Sequence, residues 1–162
     1  MKLKNYFFVT LQSFACITAL AHGDANPEDG FGQAGHPDQI NRTVKIEMLD
    51  TMRFKPDKLK VSKGETIRFV INNAGAVKHE FVIGTKKELS EHSELMKKHP
   101  DMEHADDSMV TVLPRQTAEI IWQFTQGGMF FFACLQPGHY VAGMQGSVEV
   151  SLSTHKKTSH QH

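Results

Sequence analysis

Three soft donors recur at five-residue intervals late in the chain: Cys134, His139 and Met144, in the segment Cys-Leu-Gln-Pro-Gly-His-Tyr-Val-Ala-Gly-Met. A thiolate, an imidazole and a thioether are ligands that suit copper. Two imidazoles and a thiolate in one plane, with a weak axial thioether, make an electron-transfer copper site. The second imidazole has to come from upstream, and His79, at the head of the apolar run His-Glu-Phe-Val-Ile, is the candidate. Taken singly, each residue has a blander reading. A lone cysteine after Phe130-Phe131-Phe132-Ala133 is also a small buried hydrophobe, and with 10 His and 8 Met a chance spacing is conceivable. The combination carries the metal reading: the three donors share one loop that turns at Pro137-Gly138, and His79 opens another strand.

The elements that must position these residues are short strands. Thr43 to Met48 alternates apolar and polar residues, as a half-buried strand does. Leu59 to Val61, Thr66 to Ile71, His79 to Ile83, Met109 to Leu113, Ala118 to Phe124, Met129 to Cys134 and Gly146 to Val150 read likewise, separated by Gly, Pro, Asn and Asp turn residues. Leu89, His92, Leu95 and Met96 instead recur at helical spacing, so a helix is predicted over 86–98, capped by Thr85. The whole reads as an all-β sandwich with Greek-key connections and one helical insertion.

At 162 residues the chain is long enough for one domain with a proper core. Residues 1–21 read as a secretory signal peptide. Lys2 and Lys4 precede an apolar stretch too short and polar for a membrane span, and Ala19-Leu20-Ala21 has the small-x-small cleavage pattern. Residues 22–41, rich in Gly, Pro and acidic side chains, read as a flexible or loosely docked segment. The folded domain then spans 42–151, and 152–162 is a polar tail containing His155, His160 and His162. Cleavage after Ala21 leaves 16 basic against 18 acidic residues, a formal charge of −2, which points away from nucleic acid or anionic lipid as partners. It also removes Cys16, so the thiol of Cys134 has no disulfide partner within the exported chain and must be buried, catalytic or metal-bound.

On the set His79, Cys134, His139 and Met144, and on the loop Pro-Gly-His-Tyr-x-x-Gly-Met, the chain resembles the cupredoxins: plastocyanin, azurin, rusticyanin and, most closely, the periplasmic copper-tolerance members. The resemblance covers roughly Arg42 to Val150. It implies a cupredoxin-like fold holding one copper per chain, cycling between Cu(I) and Cu(II); the leader at 1–21 points to the periplasm, and a monomer is the default expectation. It also implies that His139 reaches the surface, where redox partner proteins dock on a patch of Pro137, Tyr140, Val141 and Ala142, while Phe81, Phe130, Phe132 and Val141 keep water from the metal. One position departs from the family: Glu80 stands where many cupredoxins place Asn or Ser. Its carboxylate could brace the ligand loop by accepting backbone N–H bonds, approach the copper and shift the spectrum towards green, or lie solvated. A multicopper oxidase would need His on both sides of the cysteine, where Ala133 and Leu135 stand, and a dinuclear centre would need a second loop cysteine, where Gly138 stands. No catalytic triad, phosphate loop or carboxylate pair suggests an enzyme.

Further donors suggest additional copper ions. His99, Met102 and His104 bring two imidazoles and a thioether within six residues, and His22, as a new N-terminus, would offer an amine beside its ring. Scattered His is also ordinary surface composition, and Met96 reads as helix-face packing. Two functions of different class therefore follow: copper tolerance and handling in the cell envelope, and a dedicated electron carrier of a respiratory chain. The His-containing ends favour the first.

Overall fold

In a computed structural model the residues described are 30–99 and 106–152. Ten strands and one α-helix follow in chain order. They are β1 (Gln33–Ala34), β2 (Arg42–Leu49), β3 (Arg53–Lys55), β4 (Lys58–Ser62), β5 (Thr66–Asn73), β6 (His79–Gly84), α1 (Lys86–Lys98), β7 (Met109–Val112), β8 (Thr117–Gln123), β9 (Gly128–Ala133) and β10 (Gln145–Ser151). Two five-stranded sheets face one another, ordered β1-β8-β5-β2-β3 and β4-β10-β9-β6-β7. The pairs β2/β5 and β4/β10 are parallel and the rest antiparallel. This is the Greek-key β-sandwich expected from the strand pattern.

The period of two decides which side chains meet between the sheets. Val44, Ile46 and Met48 of β2 and Ile67, Phe69 and Ile71 of β5 are buried on one side. Phe81, Phe130, Phe132 and Val148 face them from the other. Phe54, Phe81 and Phe132 form a knot with ring centroids 5.1 to 5.8 Å apart, edge-on or tilted, the geometry aromatic quadrupoles favour. The floor of the ligand loop is therefore rigid and dry.

The helix forms where its spacing predicts. Thr85 Oγ1 accepts the Glu88 N–H at 3.2 Å while Glu88 Oε2 accepts the Thr85 N–H at 2.7 Å, a complete capping box. Leu89 and Met96 bury against Val82, Ala133 and Leu135 on the outer face of the second sheet. That covering explains why β6 is buried at all six positions: core packs on one face and helix on the other.

Two short strands, β1 and β3, escape the sequence pattern because two or three residues show no periodicity. Phe31, 7 % exposed, stacks on Trp122 with centroids 5.1 Å apart, and Gln33 and Ala34 pair with β8. The part of 22–41 that is described is thus docked on the sheet rather than loose, held by Phe31 on Trp122 and by the pairing of Gln33 and Ala34. Among the described residues no helix is long and apolar enough to cross a membrane.

Candidate metal centre

Cys134 follows the last residue of β9, and Met144 precedes the first of β10. The ten-residue interval is folded back by its own backbone: Cys134 N–H donates to Met144 O at 3.0 Å, Met144 N–H to His139 O at 3.0 Å, and His139 N–H to Gln136 O at 3.0 Å. Gly138 (φ 86°) and Gly143 (φ 95°) adopt the left-handed backbone these turns require. His79 arrives from the adjacent strand, since β6 pairs with β9. Because β-strand side chains alternate, His79 shares the interior face with Phe81, and Glu80 is turned to the other.

The three strongest candidate ligands converge. Cys134 Sγ lies 3.2 Å from His139 Nδ1 and 3.9 Å from His79 Nδ1, and the two Nδ1 atoms are 3.2 Å apart. With bonds of about 2.0–2.1 Å to nitrogen and about 2.3 Å to sulfur, as zinc makes, trigonal donors would stand roughly 3.5–3.8 Å apart. The triangle is close to that, so this donor set fits a single soft metal ion. His79 and Cys134 are fully buried and His139 is half-buried. Met144 is also fully buried beside them, its backbone bonded to both Cys134 and His139.

The electrostatics favour capture of a metal over a free thiolate. Burial pushes the Cys134 thiol up to about 11, opposed by the backbone N–H groups of Glu80 and Gln136; the Glu80 N–H points at Sγ from 3.3 Å. Those N–H groups would also support a metal-bound thiolate. Burial, and then the neighbouring His79, hold His139 below its ordinary value, which keeps its ring neutral and able to ligate.

Four residues that sequence reasoning did not single out hold the site. Asp50 accepts from His79 Nε2 at 3.1 Å, and Arg53 Nη1 donates to the Ala142 carbonyl of the ligand loop at 2.9 Å. Asn73 ties Val77 O and Val112 O through Nδ2, at 2.8 and 2.9 Å, securing the segment that leads into His79. Gln136 Nε2 donates to Glu80 Oε1 at 2.5 Å. Asp50, Arg53 and Asn73 sit at strand ends, where Asp and Asn are ordinary turn residues and an exposed Arg opening a strand is unremarkable, so no local signal marks them.

Two expectations are corrected. Glu80 neither lies solvated nor joins the metal donors. It is buried, and its side chain reaches Gln136 and, at 3.5 Å, the Thr111 hydroxyl, so it braces the ligand loop through a side chain rather than through backbone N–H groups. Its Oε2 has no partner among the described residues. Val141 is 77 % exposed and cannot shield the metal, whereas Phe81, Phe130 and Phe132 are buried as expected. His99 is exposed at the end of α1; Met102, His104 and His22 lie outside the described residues.

Comparison with known proteins agrees with this chemistry. The profile described as "Copper binding proteins, plastocyanin/azurin family" matches residues 40–151. The chain is 47 % identical over 133 residues to the copper-resistant cuproprotein CopI of Rubrivivax gelatinosus, covering 80 % of this chain and 81 % of that one. It is 32 % identical over 169 residues to CopI of Vibrio cholerae, covering 91 % and 99 %. Among solved structures it superimposes on auracyanin B with a TM-score of 0.64 at 17 % identity, covering 74 % of this chain and 96 % of that one. Auracyanin A of Chloroflexus aurantiacus gives 0.58 at 23 %, covering 67 % and 98 %. At such identities the structures speak for the fold.

Proposed function

Given that the chain belongs to the plastocyanin/azurin family of copper-binding proteins, we propose that it is a type 1 copper protein of the cell envelope whose electron transfer serves copper tolerance. His79, Cys134 and His139 would hold the ion, and Met144, buried beside them, would add a thioether as a further soft donor. The triangle of Sγ and two Nδ1 atoms carries the reading, and the relatives named for copper resistance direct it towards tolerance. When bound, copper supplies a centre that alternates between Cu(I) and Cu(II).

The chain's own residues make that exchange easy. His79, Cys134 and His139 are fixed by strand pairing and loop hydrogen bonds, so little moves when the charge changes. Phe81 and Phe132 exclude water beneath. The half-buried ring of His139 is the route by which a redox partner reaches the centre, with exposed Pro137, Val141 and Ala142 around it. The protein carries electrons and catalyses no reaction of its own, and the leader read at 1–21 sends it to the periplasm as a monomer.

The test is the visible spectrum of the mature protein after addition of Cu(II). An intense thiolate-to-copper charge-transfer band, absent in Cys134→Ala, is expected; a colourless wild-type protein would overturn the site. Growth on excess copper tests the role: a deletion strain and a Cys134→Ala strain should both become sensitive. Unchanged tolerance in both would leave only the respiratory carrier.

A further inference from the structure

One tight turn, between β2 and β3, touches both histidine-bearing segments. Asp50 reaches His79, and Arg53 reaches the loop of His139. The two contacts differ in kind, because Arg53 binds a backbone carbonyl whereas Asp50 binds the imidazole itself. We propose that Asp50 is a positioning residue of the metal centre: its carboxylate accepts the Nε2–H of His79, fixes the tautomer that leaves Nδ1 free for the metal, and sets a negative charge one ring away from the ion.

Five observations carry this. The His79 ring is 0 % exposed, so its Nε2–H has no solvent to turn to, and Asp50 Oδ1 is its partner at 3.1 Å. The ring nitrogen opposite, Nδ1, faces Cys134 and His139, and a neutral imidazole that donates from one nitrogen must accept or ligate with the other. The carboxylate is itself immobilised: Oδ2 accepts the Ala76 N–H at 2.7 Å and Oδ1 the Val77 N–H at 3.4 Å. The backbone has been cleared for it, since a Cβ on Gly75 would fall 1.8 Å from Oδ1. Among the described residues no Lys or Arg pairs with Asp50, so its charge is not neutralised by an ion pair. A carboxylate hydrogen-bonded to a ligating imidazole raises the basicity of that ligand and orients it. The negative charge favours Cu(II) over Cu(I).

The proposal rests on the copper reading, and its test separates the two. In copper-free protein labelled with 15N at histidine, His79 is expected as a single Nε2–H tautomer, and in Asp50→Ala as a mixture. Asp50→Asn retains an oxygen for the Ala76 N–H but removes the charge. With copper bound, its Cu(II) affinity should fall about tenfold relative to Cu(I), which for a one-electron couple is a rise of about 59 mV in potential. Arg53→Ala, which cuts the other tie of the same turn, should leave the His79 tautomer unchanged. If wild-type His79 carries its proton on Nδ1, or if Asp50→Asn keeps the wild-type potential and tautomer, Asp50 merely pins residues 75–77 and the proposal fails. A wild-type protein that takes up no copper would sink the earlier reading, and the tautomer in copper-free protein would still decide this one.

Discussion

Raising the pH of the copper-free protein is expected to weaken it over a range set by Cys134. Burial moves this thiol from 9.0 to about 11, the N–H groups of Glu80 and Gln136 offsetting part of the effect and the charge of Glu80 adding to it. In the unfolded chain the thiol ionises near its ordinary value. Between the two values the unfolded state has therefore released a proton that the native state retains. Stability falls with rising pH wherever the native state holds the extra proton. The contribution is intact below the lower value, declines between the two and is gone above the upper. From 9.0 to about 11, at about 1.36 kcal/mol per pH unit, the loss is about 3 kcal/mol. The quantity to measure is a difference between two proteins that differ only in the thiol. Urea unfolding of wild type and Cys134→Ala, at about pH 8 and at about pH 11, should show wild type losing about 2 kcal/mol more than the variant, most of the full difference. The same proton must leave when metal binds, so copper affinity should climb about tenfold per pH unit towards the thiol's upper value. Equal losses in the two proteins, or a thiolate absorbance that rises with a midpoint at or below 9.0, would refute the burial argument.

Other substitutions probe the supports of the site. Glu80→Ala leaves the buried Gln136 amide without its acceptor and should cost about 1–3 kcal/mol in urea unfolding of copper-free protein. Glu80→Gln removes the negative charge beside the thiol, and the thiolate absorbance midpoint should shift down. Gly146→Ala places a methyl 2.2 Å from Phe132 Cζ and 2.7 Å from the Asp57 carbonyl. Overpacking of this kind costs about 1–3 kcal/mol and should lower the melting temperature, while displacing the ring beneath the ligand loop. Thr85→Ala removes one arm of the capping box and should cost about 1 kcal/mol, read by thermal melting, with the visible spectrum of the copper form unchanged.

The ligand loop was legible in the chain because its donors are close in sequence and chemically unlike their surroundings. Cys134, His139 and Met144 are spaced by turns that Gly138 and Gly143 permit, so local backbone preference nearly suffices to bring them together. His79 could be chosen because it opens a strand, and the register of β6 on β9 then placed it beside the cysteine. The strands and α1 were legible for the same reason: periods of two and of 3.6 are written in consecutive residues. Which groups face those ligands from distant elements is settled by packing between parts of the chain far apart in sequence. Asp50 sits 29 positions from His79 and Gln136 56 positions from Glu80, and an Asp at a turn or a Gln in a loop has no local feature that distinguishes it from a solvated one. The face of β6 on which Glu80 lies, and hence its role as a brace rather than a metal neighbour, followed from sheet packing. Donor identity resides in the residues themselves, but the orientation and protonation of each donor depend on neighbours that only folding brings within hydrogen-bonding reach.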